Sequence, residues 1–310
     1  MRNSKVKGIV LAISGPLLWG ISGTTAQALF TSETVSANWL VSVRMLISGV
    51  LLVIYGLITE HKQSLTVWSN WRDAIYLIFF SFIGMAASQY TYFKAIDYGN
   101  AATATILQFL SPAIIIVYLA FSTRNWPRRV DILSLGMALT GTILLVTHGQ
   151  LTTLAIPMKG LSWGLLTAVS ATLYTLLPRT LLAKYGSIPI VGWSMLIGGV
   201  AFSGYYKIWR HLPVFSWESY ARIGFVVIFG TMLAYLFFLG SLQFIMATTA
   251  SVLGCFEPLS ATFLSVIFLG VQFGLPETVG AVLIIGTVFV QSWATMRVLP
   301  APESPDQIKK

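Results

Sequence analysis

The sequence predicts an all-α integral membrane protein: ten transmembrane helices arranged as two inverted five-helix repeats. Three observations carry this. Of the 310 residues, 56% are hydrophobic and only 9% are charged, with a mean hydropathy of +0.79. Soluble domains carry about 25% charged residues, so this chain cannot cover a water-facing surface and must largely face lipid. Crossing roughly 30 Å of hydrocarbon takes about 20 helical residues. Windows of that length fall near 7–29, 36–58, 73–94, 99–121, 130–147, 160–181, 189–208, 220–241, 246–270 and 277–297. Lastly, the pattern of the first half returns in the second.

Taken in order, the first window follows Arg2, Lys5 and Lys7, as a signal peptide would. Its apolar stretch is long and lacks a convincing cleavage site, so it reads as a retained first span. Connections between windows are short and leave no room for a soluble domain. The final "PAPESPDQIKK" is polar and Pro-rich, which predicts a disordered cytoplasmic tail over 298–310. With the N-terminus in the cytoplasm, thirteen Lys and Arg lie inside. Five (Lys94, Lys159, Lys207, Arg210 and Arg222) lie outside. The positive-inside rule then favours a multi-pass protein of the cell membrane with both termini cytoplasmic.

The repeat appears at a shift of 146 residues. "GMAASQYTYFKAIDYGNAATATILQFLSP" (84–112) lies on "GTMLAYLFFLGSLQFIMATTASVLGCFEP" (230–258). Gly84 meets Gly230, Ala101 meets Ala247, Thr103 meets Thr249 and Pro112 meets Pro258. Two five-span repeats follow, over 1–147 and 160–297. Because five is odd, the second must enter the membrane from the opposite side. Secondary transporters recur in this design, with the substrate site near the midplane between the halves.

Several classes are disfavoured. A lone Cys255 excludes an intrachain disulfide and a cysteine-based metal cluster. His61, His148 and His211 lie at or near segment ends, so no metal or other cofactor is expected. The net charge of +9 comes from basic residues scattered over loops, which the positive-inside rule explains without nucleic acid. There is no GxxxxGK[ST] loop for ATP-driven pumping. An intramembrane enzyme would need paired carboxylates, an HExxH cluster or a nucleophile with a base, and none is visible. An intramembrane lipid- or metabolite-modifying enzyme and a passive channel stay as the alternatives to a carrier.

The stretches "GPLLWGISG" (15–23), "RMLISGVLL" (44–52), "YFKAIDYGNAATATILQFLSP" (92–112) and "SLQFIMATTASVLGCFEPLSATFLSVIFLG" (241–270) together resemble the drug/metabolite transporter superfamily. The likeness is to its ten-helix members with two EamA-type domains and covers nearly the whole chain. Such proteins usually carry an acid just after the fourth and ninth spans. Here those ends read "FSTRNW" (121–126) and "FLGVQF" (268–273), with no acid. The resemblance implies a carrier of amino acids, drugs or other small metabolites, with export the expected direction.

Two charges lie deepest in apolar sequence, Arg44 and Glu257. A charge at the bilayer centre costs from about 3 to over 10 kcal/mol, so each must face a partner, water or cargo. Glu257 can receive an amino or cationic group, titrate with a coupling proton, or serve as a structural acid. Arg44, nearer the outer third of its span, suits cargo contact, an outer gate or a structural ion pair. Pro112 and Pro258 each remove a backbone donor and free a carbonyl one turn earlier. They are expected to bend spans 4 and 9, either for packing alone or as the moving walls of a pathway. Gln89 and Gln108 are buried amides, costly when unpaired. Trp19, Tyr90, Tyr92, Tyr174, Tyr235 and Trp193 lie within spans and could wall a cavity for a flat, partly apolar solute. Gly198, Gly199, Gly204, Gly136 and Gly141 are expected at close helix contacts.

Overall fold

In lipid the backbone must satisfy its own polar groups, which leaves helices as the natural answer for this chain. The computed structural model describes residues 2–32, 35–59, 63–124, 126–149, 156–210 and 216–298. His61, His211 and the predicted tail from 299 onward lie outside the described residues. Among the described residues every secondary-structure element is a helix. Span 1 is Arg2–Ser32, span 2 Ala37–Thr59, span 3 Trp71–Tyr98, span 4 Ala101–Thr123 and span 5 Arg129–Thr147. Span 6 is the bent pair Met158–Leu176 and Arg179–Tyr185. Span 7 is Ser187–Tyr206, span 8 Trp217–Ser241, span 9 Thr249–Leu269 and span 10 Leu275–Val298.

The packing obeys the repeat. Span 2 crosses span 7, and span 5 crosses span 10, each helix meeting its counterpart. Span 3 packs on span 6 as span 8 packs on span 1, and span 4 packs on span 6 as span 9 packs on span 1. These pairings map onto themselves when the halves are exchanged. A pseudo-twofold axis therefore runs through the 2–7 and 5–10 crossings.

Without a hydrophobic drive between helices, small residues set how closely they approach. A Cβ at Gly141 would lie 2.7 Å from the Gly280 carbonyl oxygen, and one at Gly280 would lie 2.6 Å from that of Gly141. At the 2–7 crossing, Gly49 abuts the backbone of Leu196 while Gly199 abuts that of Leu46. Gly198 faces Met45. Gly136 and Gly204 do not follow the packing expectation, because a Cβ at either meets nothing within 4 Å.

Spans 3 and 8 each contain a π turn, Ser81–Ala86 and Ile228–Leu233, around the equivalent Gly84 and Gly230. The wide turns release carbonyls, and hydroxyls collect them. Thr231 Oγ1 donates to the Val226 carbonyl at 2.8 Å, and Ser48 Oγ donates to that of Val227 at 2.9 Å. The 42° bend of span 6 at Leu177–Pro178 is treated alike, with Tyr76 donating to the Leu177 carbonyl at 2.8 Å.

Spans 4 and 9 are broken rather than merely bent. Span 4 divides into Ala101–Gln108 and Ser111–Thr123, and span 9 into Ala247–Leu253 and Phe256–Leu269. Pro112 and Pro258 thus open the second half-helices, where a missing N–H costs little. The carbonyl of Gly254, which Pro258 cannot serve, accepts instead from the Glu257 N–H at 3.0 Å.

The glycine contacts generate a paired expectation. Gly141→Ala should destabilise the purified protein by about 1–3 kcal/mol through overpacking. Gly136→Ala should be neutral or stabilise by up to about 1 kcal/mol. Melting temperatures in one detergent decide it, and equal shifts would exclude a tight 5–10 crossing.

Candidate functional site

The two repeats meet at Tyr235 of span 8. Its hydroxyl accepts from Gln89 Nε2 of span 3 at 3.1 Å. The two residues are 146 apart, the repeat shift itself, so equivalent positions touch each other. That is possible only beside the pseudo-twofold axis. Trp19 of span 1 meets the Tyr235 ring in a T-shaped pair, 5.0 Å between centroids. The Tyr174 hydroxyl of span 6 adjoins that of Tyr235, while the Tyr174 ring stacks on Phe80.

Arg44 of span 2 lies one layer away and is buried. Its Nε donates to Thr231 Oγ1 at 3.0 Å, and its guanidinium carbon sits 4.3 Å from the Phe93 ring centroid. A desolvated cation over an aromatic face gains about 2 kcal/mol, which offsets part of the cost of burying this charge. The π turn of span 8 places Thr231 for this contact. Tyr92 of span 3 meets Thr105 Oγ1 of span 4 at 2.8 Å. Thr105 donates its own proton to the Ala101 carbonyl at 2.7 Å, so Tyr92 is the donor.

Glu257 is the second residue of the half-helix Phe256–Leu269 and is 8% exposed. Among the described residues its carboxylate has no hydrogen-bond or ion-pair partner. Arg44, Tyr92 and Tyr235 lie within electrostatic range but not in contact with it. The amide dipoles of its own half-helix favour a negative charge there. Span 1 comes close only because Gly20 has no side chain: a Cβ would lie 2.6 Å from the Glu257 carbonyl oxygen.

The EamA-like transporter family model matches residues 6–147 and 158–293. The chain belongs to the EamA-like transporter family. It is 37% identical over 292 residues to an uncharacterized inner membrane transporter, YicL, of Salmonella typhimurium strain LT2, covering 94% of this chain and 97% of that relative. An uncharacterized transporter of Clostridium kluyveri is 20% identical over 290 residues, covering 92% and 90% of the two chains. A crystal structure of a protein 17% identical aligns with a TM-score of 0.63 over 94% of this chain and 99% of the other, a likeness of fold alone. This EamA-family protein is therefore an integral, multi-pass membrane transporter.

In this EamA-like transporter the two site charges break the repeat. "RMLISGV" (44–50) recurs as "SMLIGGV" (194–200), so Arg44 corresponds to Ser194. Glu257 corresponds to Ser111. Each half contributes one charge and answers the other's with a serine. The halves also differ in packing. The first half of span 4 packs against the second half of span 9, with Thr103 and Thr105 buried. Their equivalents Thr249 and Ser251 are exposed, and the first half of span 9 makes no comparable contact with the second half of span 4.

Of the residues named from sequence, Trp19, Arg44, Gln89, Tyr92, Tyr174, Tyr235 and Glu257 converge around the axis. Tyr90 stands apart in an aromatic cluster with Trp163, Phe202 and Tyr206, whose hydroxyl donates to that of Tyr90 at 3.1 Å. Trp193 donates to the Ser64 carbonyl at 2.8 Å and packs edge-on against Trp68, beside the connection between spans 2 and 3. Gln108 is half-buried at the break of span 4, without a hydrogen-bond partner among the described residues. Pro258 is buried at the break of span 9, while Pro112 lines a separate cavity beside spans 5 and 10. Sequence reasoning missed Thr231, Phe93 and Thr105. The doubled "MLI-GV" motif could have flagged Arg44's layer, but nothing local marks its partners.

Thr231→Val leaves the buried Arg44 donor without its acceptor, and should lower stability by about 1–3 kcal/mol. Thr231→Ser should stay within about 0.5 kcal/mol of the parent. Thermal melts of the purified variants separate the two, and an unaffected Val variant would mean that Thr231 does not hold Arg44.

Proposed function

We propose that this transporter moves a small organic solute, such as an amino acid, a drug or another metabolite, across the cytoplasmic membrane by alternating access. Export is the direction of net movement, and both termini are cytoplasmic. The observation that carries the reading is Glu257: a buried carboxylate with no protein partner among the described residues, near Arg44 and beside an aromatic wall. A carboxylate held so in a membrane needs cargo or a proton. An ammonium group of the solute pairs with Glu257, or the acid exchanges a coupling proton as cargo leaves. Arg44 keeps guanidinium N–H groups that Thr231 does not use, and these suit a carboxylate or an outer gate.

The unequal packing of spans 4 and 9 supports alternating access. In an inverted repeat, exchanging the conformations of the halves produces the oppositely open state. The first half of span 9 would then pack and that of span 4 would loosen. Cysteines placed at Thr249 and Thr103 should accordingly change thiol reactivity in opposite senses when cargo is added. Parallel changes would exclude the exchange. Labelling at 124 and 272 tests the topology, with modification expected from opposite sides of the membrane.

For the site itself, a ligand screen by thermal shift over amino acids, quaternary amines and sugars should find stabilising solutes. A ligand at 100 times its Kd adds about 2.7 kcal/mol. Glu257→Gln should abolish that response for cationic or zwitterionic solutes and flatten the pH dependence of transport. Normal binding and transport by Glu257→Gln at every pH would remove Glu257 from the mechanism.

A further inference from the structure

A cavity of about 500 Å³ lies between the second half of span 4 and the 5–10 pair. Pro112 forms its deep end, Ile115, Ile116 and Leu119 its wall, and Trp126 and Arg128 its mouth. The half-helix Ser111–Thr123 packs on span 6 and only slightly on spans 5 and 10, which leaves this slot. From Pro112 to Thr123 the helix rises roughly 16 Å. One leaflet of hydrocarbon is roughly 15 Å deep, half of a 30 Å core. The slot therefore runs from the headgroup level to the bilayer midplane, apolar along Ile115, Ile116 and Leu119, with Thr123, Asp131 and Gln291 also in its lining.

The connection beside it is basic. Arg124, Arg128 and Arg129 fall within six residues, with Asp131 the nearby acid. Asp131 grips Arg128 through Nε at 3.0 Å and Nη2 at 3.1 Å, and also accepts from Gln291 Nε2 at 3.1 Å. That leaves Arg128 held in place. Arg124 and Arg129 are exposed and have no ion-pair partner among the described residues. Trp126 is 94% exposed, in keeping with an aromatic ring at the membrane interface. The equivalent connection after span 9, "GVQFG" (270–274), has no basic residue, so the cationic rim belongs to the first repeat alone.

We infer that this slot is a binding site for an anionic phospholipid of the leaflet at the 4–5 connection. One acyl chain lies along Ile115, Ile116 and Leu119, and the phosphate meets the arginines at the mouth. Basic pockets between membrane helices recognise anionic headgroups through the same charge complementarity.

The test is native mass spectrometry of the full-length protein titrated with phosphatidylglycerol, phosphatidylcholine or glycerol phosphate. The parent should prefer phosphatidylglycerol over phosphatidylcholine by about 10- to 30-fold, the scale expected of two surface arginines. Arg124→Gln with Arg129→Gln should bring the two lipids to near-equal binding, while Lys207→Gln with Arg210→Gln, at the opposite end of the bundle, should keep the preference. Ala120→Phe, which fills the slot, should weaken both lipids, and glycerol phosphate should not bind. The inference is overturned by a parent without preference, by an arginine double variant that retains it, by an unaffected Ala120→Phe, or by headgroup binding as tight as lipid binding.

Discussion

Hydrocarbon offers no water to an unpaired peptide group, and this constraint shapes each irregularity in the bundle. At three interruptions of the α-helical ladder a nearby group supplies a bond. Ser48 and Thr231 serve the π turn of span 8, Tyr76 serves the bend of span 6, and the Glu257 N–H serves the carbonyl orphaned by Pro258. The repairs from Ser48 and Tyr76 tie one span to another, so those two interruptions become joints between helices. Thr231 mends its own helix and, with the same oxygen, receives Arg44.

Around this framework the pseudo-twofold axis organises the charges. Helices that cross their own counterparts do so backbone to backbone through glycine, as at Gly141 and Gly280. Such contacts have little room to slide. The half-helices of spans 4 and 9 are held less symmetrically, one packed and the other standing out. Rigid crossings beside unequal broken helices give the molecule both a scaffold and parts that can exchange roles. Near the axis the sequence departs from symmetry, with Ser194 at the position equivalent to Arg44 and Ser111 at the position equivalent to Glu257. A site with one positive and one negative pole is polar in a way that two identical halves could not be.

Much of the fold was legible because the bilayer reads sequence crudely. Length and apolarity located the spans, and the 146-residue shift exposed the repeat. Arg44 and Glu257 stood out for the same reason, since a charge in a long apolar run is costly wherever it points. The aromatic residues were harder to rank. Tyr90 and Tyr92 are two positions apart on one helix, so they face different neighbours; one joins Trp163 and Tyr206, the other Thr105. Nothing in their local sequence distinguishes them. The glycines divide similarly, with Gly141 against a backbone and Gly136 against nothing.

By itself, then, the sequence determined the membrane class, the ten crossings, the duplication and the two buried charges. Those follow from hydration cost, which is additive along the chain. The tertiary structure alone decided that Gln89 and Tyr235 meet at the axis, that Arg44 rests on Phe93 and Thr231, and that Glu257 is left without a partner among the described residues. It also turned the two proline bends into breaks. These depend on which faces of distant helices come together, and packing between helices in lipid is set by shape and hydrogen bonding rather than by hydrophobicity.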